Sequence, residues 1–263
     1  MSEFFQRTAS KPDIRYYLLR IVPLAAAVIL LIVLITVGIS SAAPAADFIP
    51  METVHVTRSE VLESQIPGTD HLNIVQQYVE ENKCYITNEP LEVKGLMLHS
   101  IGVELPNAQI FARNYNTAYP FGSAICTHAF LQSDGTVYQI LPWDIVSWHS
   151  GGSANETHIG IEMCEPDTIV YTDVSTFYCT DEQAAKTYVV GAYDTAVSLF
   201  AELCMEYNLD PLEEGVILSH AEGNELGVAS DHGDPEHLWK GLGLPYTMDT
   251  FRADVAARIA ALQ

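Results

Sequence analysis

The chain of 263 residues is long enough for one sizeable domain with an appendage, or for two small domains. Twelve basic residues stand against 34 acidic ones, a formal charge of −22. That balance excludes nucleic acid, or any other polyanion, as a partner held by charge, and it reads first as a well-solvated surface.

Residues 21–39 carry no charge and are dominated by Ala, Val, Leu and Ile. As a helix they would extend roughly 28 Å, about the hydrocarbon thickness of a bilayer. Arg7, Lys11, Arg15 and Arg20 precede the run, and no basic residue follows before Arg58. The positive-inside rule then leaves the N-terminus cytoplasmic and the bulk of the chain outside. Residues 1–46 are therefore expected to form a short tail and a single transmembrane helix in the cell membrane. Ala43-Pro44-Ala45 also fits a small-x-small cleavage site, which would make the segment a signal peptide and the product secreted. The apolar run is long for that, because signal-peptide cores span about 7–15 residues. On either reading the remainder is exported. It holds 8 basic against 32 acidic residues once those before position 40 are set aside.

Residues 47–88 read as a lead-in to a main domain at 89–263. Within the lead-in, Leu72, Val75 and Val79 have helical spacing and predict a short helix over residues 69–82. Residues 93–100 are an apolar strand with His99 near its end. Residues 124–141 read as a hairpin, two apolar runs joined by Ser133-Asp134-Gly135-Thr136. Trp148-His149-Ser150-Gly151-Gly152 is a glycine-rich loop that exposes an aromatic ring and an imidazole.

Residues 158–164 form another buried strand. Alternation puts Ile159, Ile161 and Met163 on one face and Gly160, Glu162 and Cys164 on the other. A glutamate inside such a strand is costly unless it is paired or functional. Few basic partners exist, and desolvation would raise its pKa toward the range of a general base. Thr180-Asp181-Glu182-Gln183 reads as a capping box opening a long helix, with Ala185, Tyr188, Val189, Ala192, Ala196, Leu199 and Leu203 on its inner face. Asn208-Leu209-Asp210-Pro211 ends it. A last helix spans about residues 249–261, with Phe251, Val255 and Ile259 inward.

Between these helices, Val216-Ile217-Leu218 is a short buried strand ending at His220, and Asp234 follows fourteen positions later. The loop between carries Gly223, Gly227 and Gly233, so it can fold back and bring Asp234 beside His220. An imidazole and a carboxylate meeting at a strand end suit zinc, which in catalytic sites takes three protein ligands. Strand ends of an α/β sheet converge on one crevice, so His99 is the candidate third ligand. The five cysteines include no C-x-x-C pair, and nothing points to a cysteine zinc site. Cys164 and Cys179 could close the segment between them, while Cys126 and Cys164 fit buried thiols.

The order of these motifs resembles the type 2 family of zinc-dependent N-acetylmuramoyl-L-alanine amidases, which includes phage endolysins and peptidoglycan recognition proteins. The residues that carry the resemblance are Leu98-His99-Ser100, Thr127-His128-Ala129-Phe130 with its Asp134-Gly135 turn, Trp148-His149-Ser150-Gly151, Ile159-Gly160-Ile161-Glu162, Ser219-His220 and Asp234-Pro235. It implies a mixed central sheet flanked by helices, with zinc at the strand ends held by His99, His220 and Asp234. It implies Glu162 as the base that activates water. It also implies hydrolysis of the amide between N-acetylmuramic acid and L-alanine in peptidoglycan. Relatives often carry a lysine two residues before the third ligand, and here that position is His232, a candidate oxyanion donor. Trp148 and His149 are expected to line the substrate groove. His128 is grouped with them, as a residue that either supports the site or is structural. The alternative is a protein of the same fold that binds peptidoglycan without cutting it, or a zinc amidase with another substrate.

Overall fold

The computed structural model describes residues 72–117 and 125–263. The apolar run at residues 21–39 lies outside them, and among the described residues no helix is long and apolar enough to cross a membrane. In chain order the elements are β1 (Asn73–Gln76), α1 (Lys83–Thr87), β2 (Gly95–Ser100), α2 (Ala108–Tyr115), β3 (Ala129–Leu131) and β4 (Thr136–Gln139). A 3-10 turn (Ser153–Glu156) precedes β5 (His158–Met163), β6 (Ile169–Asp173) and β7 (Thr176–Cys179). Then come α3 (Glu182–Tyr207), β8 (Ile217–Ser219), α4 (His220–Glu225), α5 (Glu236–Gly241) and α6 (Met248–Leu262).

Six strands form one mixed sheet in the order β1-β4-β3-β5-β2-β8. β3 and β4 pair antiparallel through the expected hairpin, and every other neighbour pair runs parallel. The central strands are apolar because both their faces are covered. On one face Leu96, Leu98, Ile159, Ile161 and Met163 meet Ala185, Val189, Ala192, Ala196 and Leu199 of α3. α6 packs beside α3, with Phe251 fully buried against Phe200 and Tyr193. Each such side chain contributes roughly 1.5–3 kcal/mol by leaving water. A one-residue slip of β5 would drive Glu162 into that core, so the register is strongly fixed.

Three expectations are corrected. The segment that predicted a helix over 69–82 holds β1 instead, hydrogen-bonded to β4 with Asn73 opposite Thr136 and Gln76 opposite Gln139. The spacing of Leu72, Val75 and Val79 mimics a helix, but pairing along a sheet edge outweighs so weak a local preference. The cap of α3 is Asp181, whose side chain accepts from the Ala184 amide; with alanine at that third position the reciprocal half of the expected Thr180–Gln183 box does not form. Cys164 and Cys179 remain unbridged: Cys164 is buried with Phe130 and Ile140, and Cys179 packs into the core on the α3 side. The span between them is the β6–β7 hairpin, a separate two-stranded sheet.

Candidate metal centre and catalytic cleft

The parallel strands β2, β5 and β8 deliver their C-terminal ends to one side of the sheet, the place where such sheets bind ligands. Register sets His99 of β2 opposite Glu162 of β5. His220 is the first residue of α4, immediately after β8. Ser219 and Glu222 form a complete capping box there, which fixes how the chain leaves the strand. Asp234 comes from the loop after α4. The Ser100 amide donates to its Oδ2 at 3.2 Å, and the Ala221 amide donates to its backbone carbonyl at 3.2 Å.

The three side chains converge, and all are buried. His99 Nδ1 lies 3.0 Å from His220 Nδ1 and 3.4 Å from Asp234 Oδ2. His220 Nδ1 lies 3.6 Å from Asp234 Oδ1. Tetrahedral ligation at about 2.0–2.2 Å puts ligand atoms roughly 3.3–3.6 Å apart. Two of the three spacings fall in this range, the His99–His220 pair being closer by a few tenths of an ångström, and the donor set, two imidazole nitrogens and a carboxylate, fits a zinc ion.

The electrostatics agree. Burial works to depress His99, but Glu162 and Asp234 outweigh it and hold its pKa above the ordinary value. Burial, with His99 alongside, pushes His220 down to about 4. Burial would raise Asp234, and the hydrogen bond from His99 overrides it to keep the carboxyl below its usual range. Glu162 and Asp234 thus set negative charge beside His99, which favours a divalent ion at the centre.

Glu162 faces the same cleft. Its Oε2 is sealed from solvent without a hydrogen-bond partner. Burial pushes the carboxyl up to about 7, although His99 opposes the shift. A carboxylate with one uncommitted oxygen and a pKa near neutrality is equipped to accept a proton. The cleft measures about 580 Å³, and Phe111, Tyr115, Ile125, Phe130 and Trp148 form its apolar wall. Trp148 is 40% exposed, with Lys83 Nζ 4.5 Å from its ring centroid. His232 is exposed at the rim, its ring 4.4 Å from that of His220.

Residues 89–237 match the N-acetylmuramoyl-L-alanine amidase family. The chain belongs to this family. The 1,6-anhydro-N-acetylmuramyl-L-alanine amidase AmpD of Escherichia coli (strain K12) is 35% identical over 68 residues, which cover 21% of this chain and 37% of AmpD. The match therefore spans little more than a third of that relative. The solved structure of the Staphylococcus aureus hydrolase AmiA, in complex with its ligand, superposes with a TM-score of 0.55 at 16% identity, covering 79% of this chain and 93% of that one. A mutant structure of PlyL gives a TM-score of 0.50 at 15% identity, over 71% and 99% of the two chains. At these identities the two structures carry the amidase fold and nothing finer.

Within this amidase domain the cleft brings together His99, Trp148, His149, Glu162, His220, His232 and Asp234. His128 is the exception. Its ring is fully buried, with Nε2 donating to the Ile145 carbonyl at 2.9 Å and Nδ1 accepting from the Gly160 amide at 3.0 Å and from Ser147 Oγ at 2.9 Å. The chain just beyond β4 folds over it, with Trp143 stacked alongside, and burial pushes its pKa down to about 4. His128 does not line the cleft; its ring lies behind that of His149, with centroids 6.2 Å apart. His149 borders the cleft but is mostly buried, its ring engaged by His99. Ser230 joins the site from the loop after α4: its Oγ lies 3.2 Å from His220 Nε2 and 3.1 Å from His232 Nδ1. No spacing or composition signal marks a lone serine that becomes a bridge only once the loop closes.

Proposed function

We propose that the protein hydrolyses the amide joining N-acetylmuramic acid to L-alanine in peptidoglycan, with zinc held by His99, His220 and Asp234. The observation that carries this reading is the convergence of those three groups within ligand spacing, beside a partnerless carboxyl oxygen of Glu162, in a chain of the amidase family. Zinc, when bound, supplies a Lewis acid that polarises the scissile carbonyl and acidifies water. Glu162 accepts the proton of the attacking water and returns it to the departing nitrogen of L-alanine. His232, at the rim next to His220, donates a hydrogen bond to the oxyanion. Trp148, Phe111 and Tyr115 offer apolar surface against which the substrate packs and excludes water. We further propose that residues 21–39 tether the domain to the outer face of the cell membrane.

Digestion of purified muropeptides tests the reaction. The expected products are a free lactyl carboxylate on the sugar and a new L-alanine amino terminus, formed by wild type and lost in His99→Ala or His220→Ala together with bound zinc. Retention of muropeptide without cleavage by the zinc-loaded protein would overturn the enzymatic reading in favour of a binding protein. Stoichiometric zinc in both variants would remove the ligand set.

A further inference from the structure

Both histidines of the candidate metal centre must present Nδ1 with its lone pair free, which requires that their protons sit on Nε2. Neutral imidazole in water favours neither arrangement strongly enough to be relied upon, so something must choose. We propose that His149 is a positioning residue that locks His99 in the Nε2–H tautomer, and that Ser230 does the same for His220. This rests on the zinc reading above and assigns to His149 a role other than contact with substrate.

Hydrogen-bond polarity decides where each proton sits. His149 Nε2 lies 3.1 Å from the His158 carbonyl, an acceptor that can only receive, so the His149 proton is on Nε2. A neutral ring then has its lone pair on Nδ1, and that atom is 2.8 Å from His99 Nε2. His99 must donate, so its proton is on Nε2 and its Nδ1 is left facing His220 and Asp234. The second branch is equivalent. The single hydroxyl proton of Ser230 goes to the Ser150 carbonyl at 3.1 Å. Its oxygen, 3.2 Å from His220 Nε2, can then accept, and His220 presents a bare Nδ1 once a cation replaces the proton that the 3.0 Å contact between the two Nδ1 atoms otherwise holds. The His99 and His149 rings meet edge to face at 82° with centroids 5.0 Å apart, a directed contact.

Local structure is built around His149. The His149 and Ser150 amides both donate to Asn155 Oδ1, at 3.0 and 2.7 Å, which pins the loop behind the ring. Gly160 of β5 leaves the berth: a Cβ there would lie 2.4 Å from His149 Cγ and 2.6 Å from Nδ1. Any side chain at 160 would thus displace the ring from His99.

The test uses the full-length protein with 15N-labelled histidine, free of metal and at alkaline pH where the imidazoles are neutral. Long-range proton–nitrogen correlation spectra report which nitrogen carries the proton. Wild type should show His99 protonated at Nε2. His149→Leu should move His99, and not His220, toward the Nδ1–H form and weaken zinc binding by about 10–100-fold. Ser230→Ala should weaken zinc binding while leaving the His99 signal where it is in wild type. His149→Asn, whose side-chain oxygen can stand near the position of Nδ1, should restore much of the affinity. An Nδ1–H tautomer of His99 in wild type would overturn the proposal even if every variant failed to fold. An unchanged His99 signal and zinc affinity in folded His149→Leu would overturn it as well. No readout involves substrate, so a protein that binds zinc without cutting muropeptides would refute the proposed reaction and leave this lock standing.

Discussion

Glu162 is where burial and function pull against each other. Desolvation raises its pKa to about 7, so at neutral pH and above the folded protein holds a carboxylate where a neutral acid would be more stable. Below the ordinary glutamate pKa of about 4.3, folded and unfolded states are both protonated and nothing is lost. As pH rises from there toward 7 the unfolded chain ionises first, and stability falls. Glu162→Gln in the metal-free protein should therefore match wild type near pH 4 and unfold at a higher temperature near pH 8, by an amount on the order of 1–3 kcal/mol. Thermal melts at the two pH values check this. A variant less stable at pH 8 would mean that the carboxylate is held by an ion pair. The convergence of His99, Glu162, His220 and Asp234 on one cleft is legible in sequence because each is a polar group set in or just beyond an apolar strand, or a short glycine-bearing loop away from one. His128 has the same local appearance but does not line the cleft, because the chain that covers it comes from beyond β4. The roles of His149 and Ser230 depend on which nitrogen meets which acceptor across loops, and sequence carries no record of that.

At the level of elements, the hairpin, the central strands β2, β5 and β8 and the long helix α3 could be read from periodicity because each buries a continuous apolar face. β1 could not, since a four-residue edge strand with Ile74 39% exposed has too little pattern to compete with a chance helical spacing. The seat of α3 on the sheet makes a separate prediction. A Cβ on Gly191 would lie 2.4 Å from the Ser133 carbonyl oxygen, which belongs to the β3–β4 turn and cannot swing aside. Alanine in a helix gains about 1 kcal/mol over glycine, whereas overpacking costs about 1–3 kcal/mol. The clash should win, and Gly191→Ala should lower the thermal midpoint by a few degrees while zinc content stays unchanged. A raised midpoint would show that helix and turn separate easily, contrary to the packing described.

The whole molecule combines a strongly acidic domain with an uncharged N-terminal run, and a surface of this charge gains nothing by electrostatic attachment to an anionic wall. Attachment would fall to residues 21–39. Fractionation of cells making the full chain should find it in the membrane pellet, uncleaved, with the domain open to external protease. A soluble product whose N-terminus is Ala46 would show a signal peptide instead. The central claim, that a zinc-holding cleft uses Glu162 as its base, is tested most directly by kcat of Glu162→Gln on a defined muropeptide, with zinc content measured on the same preparation. The expected result is full zinc, little change in KM and a fall in kcat of about 10²–10⁴-fold. Turnover close to wild type in the zinc-loaded, folded variant would contradict it.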